Sequence, residues 1–117
     1  MSERKFDGIS PTFFATDLPA ALTFYRDRLG FDLGWIWGDP PTHANVCKGP
    51  VSLNLTLDPI RAGMGEAYIG VRGIDAYWAE LQSRSVSCGD LADRVYGMRD
   101  FLVTDPNGNR LVFGQEA

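Results

Sequence analysis

A chain of 117 residues, 44% of them hydrophobic and 22% charged, has room for one packed domain and needs no staples to bury its core. Its 15 acidic residues outnumber its 11 basic ones, and the net charge of -4 argues against sequence-independent nucleic-acid binding while favouring cationic ligands. Cys47 and Cys88 lack a paired-cysteine motif and read as buried free thiols, and neither a leader-like apolar segment in the polar start Met1 to Asp7 nor a membrane-length run is found, so a cytoplasmic protein without membrane contact is expected.

Taken in order, Gly8 to Ala15 reads as a first strand, with Pro11 marking an edge or a bulge. Asp17 then caps a helix that carries Pro19 in its first turn, a stripe of Leu18, Ala21, Leu22, Tyr25 and Leu29, and Gly30 as its stop. Strands are predicted at Phe31 to Trp37, His43 to Cys47 and Val51 to Leu57, with Gly38-Asp39-Pro40-Pro41 as the first turn between them. Asp58 to Gly65 is a linker rich in Gly and Pro. A second unit follows: a strand over Glu66 to Arg72, a helix carrying Ile74, Tyr77, Trp78 and Leu81, and a sixth strand over Ser85 to Cys88. It closes on a hairpin from Arg99 to Phe113 that turns at Asp105-Pro106-Asn107-Gly108.

The order of elements repeats, and so does their spacing. Ser10 and Tyr68 are 58 residues apart, as are Asn54 and Val112. The fold class expected is α+β: a single domain of two βαβββ modules, at about 8–57 and 66–115, which pack side by side into an incomplete eight-strand barrel with helices outside. Positions 10, 54, 68 and 112 should converge on its cleft. Open sheet edges and an apolar cleft are liabilities that a partner subunit covers, so a homodimer is expected.

Several residues carry two readings. Phe31, Leu33, Trp35 and Trp37 share one parity, so if Phe31 packs under the first helix the tryptophans follow it into the core; otherwise they face the cleft. Tyr77 and Trp78 read as packing residues, and Arg99 either pairs with Asp75 or Asp100 or orients a ligand oxygen. His43, the lone histidine, is a structural hydrogen bonder or a metal ligand with Glu66 or Asp100 as a second donor. One histidine builds no Ser-His-Asp or Cys-His arrangement, so no catalytic residue is assigned.

The motifs Asp17-Leu18, Tyr25 and Leu29-Gly30-Phe31, then Tyr96-Gly97-Met98-Arg99-Asp100-Phe101 and Asp105-Pro106-Asn107-Gly108-Asn109, span almost the whole chain. In these the sequence resembles the vicinal oxygen chelate superfamily of glyoxalases, extradiol dioxygenases, fosfomycin-resistance enzymes and bleomycin-resistance proteins, with Ser10-Pro11, Asp27 to Phe31 and Val71 to Asp75 most similar to the last of these. The resemblance implies a divalent metal on His, Gln and Glu at the four paired positions. Here those are Ser10, Asn54, Tyr68 and Val112, a poor donor set, so neither a metal nor another cofactor is expected. It also implies that Trp35 and Tyr96 stack on a flat ligand and that Asp100 and Leu102 face the cleft, with Asp39, Glu66 and Asp100 supplying negative charge for a cation. The ligand-binding set is therefore Ser10, Trp35, His43, Asn54, Tyr68, Tyr96, Asp100, Leu102 and Val112. The function implied is sequestration of a flat, cationic small molecule in dimer-interface clefts, as in antibiotic resistance. The alternatives are a metal-dependent lyase, isomerase or dioxygenase with relocated ligands, and a vestigial cleft on a protein that serves dimerisation or regulation.

Overall fold

The computed structural model describes residues 4–117; the first three, part of the polar start, lie outside the described residues. After β1 (Thr12–Ala15), Asp17 Oδ1 accepts the Ala20 amide at 3.1 Å and Pro19 occupies the first turn, which sets the entry to α1 (Leu18–Thr23). The helix continues as a five-residue π segment, Phe24–Arg28, before the chain turns at Gly30. Strands β2 (Asp32–Gly38), β3 (Pro41–Lys48) and β4 (Val51–Leu57) complete the first unit. The second comprises β5 (Glu66–Gly70), α2 (Ile74–Ser83), β6 (Ala92–Asp93), β7 (Met98–Thr104) and β8 (Arg110–Glu116).

Each unit forms one four-stranded sheet, in the orders β1-β4-β3-β2 and β5-β8-β7-β6. The pairs β1/β4 and β5/β8 are parallel and the others antiparallel, so both sheets share one topology. Alternation sorts the inner strands, whereas β2 is exposed throughout. Phe13, Ala15, Ala44, Val46, Leu53 and Leu55 are buried with Leu18, Ala21 and Tyr25 in one half, as are Ile69, Phe101, Val103, Leu111 and Phe113 with Ile74 and Leu81 in the other. Tyr77 and Trp78 are packing residues as read: the Tyr77 ring meets Phe113 edge-on at 5.2 Å, and Trp78 Nε1 donates to the Gly89 carbonyl at 3.1 Å.

The units are joined on their helical side. Tyr77 Oη donates to the Leu29 carbonyl at 2.7 Å, and the buried Tyr25 Oη donates to Asp105 Oδ2 at 2.8 Å. Asp105 also takes the amides of Asn107 and Asn109, while Asn109 reaches the Phe14 carbonyl at 3.1 Å, so the hairpin turn is the junction of the two units. Among the described residues no ladder links the sheets; they stay open and are not closed into a barrel.

The sixth strand lies elsewhere than expected. Val86 and Ser85 donate their amides to the Leu81 and Gln82 carbonyls, so Ser85 to Val86 ends α2 and has no amides left for a ladder. Cys88 makes one isolated bridge to Val103, and β6 forms four residues later. Cys47 and Cys88 are free and half-buried. Among the described residues no helix is long and apolar enough to cross a membrane.

Candidate functional site

In the first sheet, cross-strand register lines up Trp35, Asn45, Asn54 and Thr12 in one row and Trp37, His43, Thr56 and Phe14 in the next. Directly opposed residues point to one side, so both rows lie on the face turned away from the core. This settles the tryptophans. Leu33 pairs with Val46 and Trp35 with Asn45, leaving Gly34 as an extra residue in β2. The bulge reverses parity, so Phe31 is buried while Trp35 and Trp37 are 48% and 66% exposed. A Cβ on Gly34 would collide with Asn45 Oδ1 and lie 3.2 Å from the Asn45 carbonyl oxygen, so a larger residue requires Asn45 to move.

A chain of hydrogen bonds runs along and beyond the Trp35 row, on the side away from Trp37. Ser10 Oγ donates to Ser52 Oγ at 2.8 Å, and Asn45 Nδ2 donates to Ser52 Oγ and to Asn54 Oδ1, each at 2.9 Å. Trp35, Ile36, Trp37 and His43 line an open hollow of about 620 Å³. His43 Nδ1 lies 2.8 Å from Thr42 Oγ1, and its ring meets Trp37 edge-on at 5.5 Å, which fits the structural reading.

In the second sheet, Tyr68, Val112 and Leu102 form one row and Gly70, Gly114 and Asp100 the next. Phe101 and Val103 point into the core, so Asp100 and Leu102 take the outer face as expected. Asp100 is nevertheless only 2% exposed. Its Oδ2 accepts both phenol protons, from Tyr68 at 3.0 Å and Tyr96 at 2.6 Å, and its Oδ1 accepts Arg94 Nε–H at 2.8 Å. Burial would raise the Asp100 pKa, but the bonds from Tyr96, Arg94 and Tyr68 outweigh it and hold the carboxyl below its ordinary value. The same contacts act oppositely on the phenols. Desolvation and Asp100 push Tyr68 up to about 12, and the bond to Asp100 raises Tyr96.

Of the three residues expected to supply negative charge, two are paired. Asp100 is neutralised by Arg94, and Glu66 stands 3.7 Å from Arg110. Arg99 pairs with Asp75 at 2.7 Å and with Asp93 at 3.2 Å, not with Asp100, so it has a structural role.

Ser10 and Asn54 lie in the first unit and Tyr68 and Val112 in the second. Their equal spacing of 58 does not carry into register: Thr12, two residues past Ser10, stands opposite Asn54, whereas Tyr68 stands opposite Val112. A slip of two keeps parity, so Ser10 remains at the rim of the same face. These residues do not fit a divalent metal. Val112 has no donor, and the Ser10 and Tyr68 hydroxyls are held by Ser52 and Asp100. Among the described residues no group of three His, Cys, Asp or Glu side chains lies together.

Two residues of the second face had no sequence signal. Arg94 sits in a polar loop and reaches Asp100 only through the fold. Gly114 gives Tyr68 its seat, since a Cβ there would collide with the phenol oxygen and lie 3.0 Å from Asp100 Cβ.

The comparisons agree with this architecture. The chain is 32% identical to the bleomycin-binding protein of bleomycin-producing Streptomyces verticillus, solved with copper(II)-bleomycin; the match covers 95% of this chain and 97% of that one, with a TM-score of 0.80. It is 26% identical to TnmS3, an antibiotic-binding protein from Streptomyces sp. CB03234, over 100% of this chain and 99% of that one, with a TM-score of 0.81. A further glyoxalase/bleomycin resistance protein from the same organism is 28% identical over 92% of this chain and 100% of its own, with a TM-score of 0.76. No curated protein matches the chain in sequence. The family profile that matches residues 9–113 accounts for both units, and the chain belongs to the Glyoxalase/Bleomycin resistance protein/Dioxygenase superfamily.

Proposed function

We propose that this chain is a metal-free, cytoplasmic binding protein that sequesters a flat, aromatic, cationic small molecule in clefts between the two protomers of a homodimer. The observation that carries this reading is the separation of two ring-bearing faces. Trp35 and Trp37 stand on one open sheet; Tyr68, 49% exposed, stands on the other, with Tyr96, 62% exposed, beside it in the turn before β7. Each face alone is half a clamp. Facing the first sheet of one protomer with the second sheet of its partner would make two equivalent sandwiches, and stacking contributes about 1 kcal/mol per ring beyond area burial.

Edge strand β2 supports the same arrangement. It exposes Leu33, Trp35, Ile36 and Trp37 in succession, an apolar edge of the kind that a second subunit covers. The net charge of -4 suits a cation. Two of the similar structures are of proteins described as bleomycin-binding and antibiotic-binding, which favours a drug-like ligand.

Light scattering at micromolar protein should give twice the chain mass. Copper-free bleomycin or proflavine should quench tryptophan emission saturably at one molecule per chain, and Trp35→Ala should weaken binding about tenfold or more. A monomeric mass, or emission indifferent to both compounds, contradicts the reading.

A further inference from the structure

The second face holds an arrangement that stacking does not explain: two exposed phenols bonded to one buried carboxylate oxygen. Tyr68 and Tyr96 both bond Asp100 Oδ2, at 3.0 and 2.6 Å, so the two phenol oxygens lie side by side. The carboxylate behind them is closed to a ligand, with Oδ1 taken by Arg94 Nε at 2.8 Å. Arg94 is fixed in turn, because its Nη2 donates to the Asp90 and Asp100 carbonyls at 2.8 and 3.1 Å. Gly114 leaves the space in which Tyr68 reaches Asp100.

A phenol has one proton. Since an ionised carboxylate is acceptor-only, each hydroxyl must donate to it, and what remains on each oxygen is lone pairs. The pair therefore presents two hydrogen-bond acceptors and no donor. We propose that Tyr68 and Tyr96 select ligands whose flat ring carries N–H or O–H donors at its edge, and that Asp100 is the positioning residue that imposes this polarity by holding both phenol protons. The inference rests on the reading of the cleft as a site for planar cations and adds the hydrogen-bonding character of the ligand. An edge bearing a carbonyl, ether or dialkylamine would meet lone pair against lone pair and lose affinity.

Two dyes isolate this effect. Proflavine and acridine orange share one cationic acridine ring, but the amino groups of the first carry N–H donors and those of the second are fully methylated. Titrating each into the unaltered protein, read by dye anisotropy, should show proflavine bound about fivefold or more tighter, the equivalent of one net hydrogen bond. In the Tyr68→Phe, Tyr96→Phe double variant, which keeps both rings, the ratio of the two affinities should fall to about one. Asp100→Asn should reduce the preference as well, because both phenol protons lose their ionised acceptor. Equal affinities on the unaltered protein overturn the proposal, and so does a preference that survives in the double variant, which would trace it to methyl bulk. Binding of neither dye would instead remove the planar-cation reading on which the proposal stands.

Discussion

Asp100 is the residue on which the second face depends, because one side chain orders two rings and a guanidinium. Its folded pKa lies below its unfolded value of about 3.9. The stability it contributes is therefore complete above about pH 4 and is lost as pH falls through the depressed value. Tyr68 acts at the other end: with its phenol moved from 10.0 to about 12, its contribution is complete below pH 10 and lost as pH rises toward 12. Urea unfolding followed against pH should show both limbs. Asp100→Asn should flatten the acid limb and destabilise the protein at neutral pH by about 1–2 kcal/mol; an acid limb unchanged in that variant would place the responsible carboxylate elsewhere. Tyr25→Phe tests a different buried carboxylate. Asp105 would lose the Tyr25 hydroxyl but keep the Asn107 and Asn109 amides, so a loss of about 1 kcal/mol is expected with ligand binding unchanged.

At the scale of elements, strand β2 shows where reading by alternation succeeds and where it stops. Val51 to Leu57 alternates apolar and polar residues, and Leu53 and Leu55 are buried as that pattern requires. The face of Trp35 was not legible, because a one-residue bulge leaves no mark in a hydrophobic pattern beyond a glycine whose purpose depends on Asn45 across the ladder. Gly34→Ala should cost about 1–3 kcal/mol and shift tryptophan emission as Trp35 and Trp37 change environment. An unaltered spectrum and stability would mean that the bulge does not hold the rings. The sixth strand misled for a related reason: Ser85 to Cys88 has β-forming side chains, but its first amides are claimed by the end of α2. Of the candidate site, the shared side of Asp100 and Leu102 was readable from alternation and its outward direction only from the family resemblance, while the tie of Tyr68 and Tyr96 to Asp100 needed the sheet to bring residues of separate strands and loops together.

The whole molecule is built of two units of one topology tied together through Tyr77, Tyr25 and the Asp105 turn, with the Trp35 and Tyr68 rings on separate sheets. In the proposed dimer, the cleft would draw Trp35 from one protomer and Tyr96 from the other. Complementation tests this most directly. Trp35→Ala and Tyr96→Ala homodimers should each bind proflavine weakly, whereas refolding the two variants together should restore full-affinity sites at about a quarter of the original number, one in each mixed dimer. Tight binding that fails to return on mixing, or that persists undiminished in either homodimer, would contradict a cleft shared between subunits.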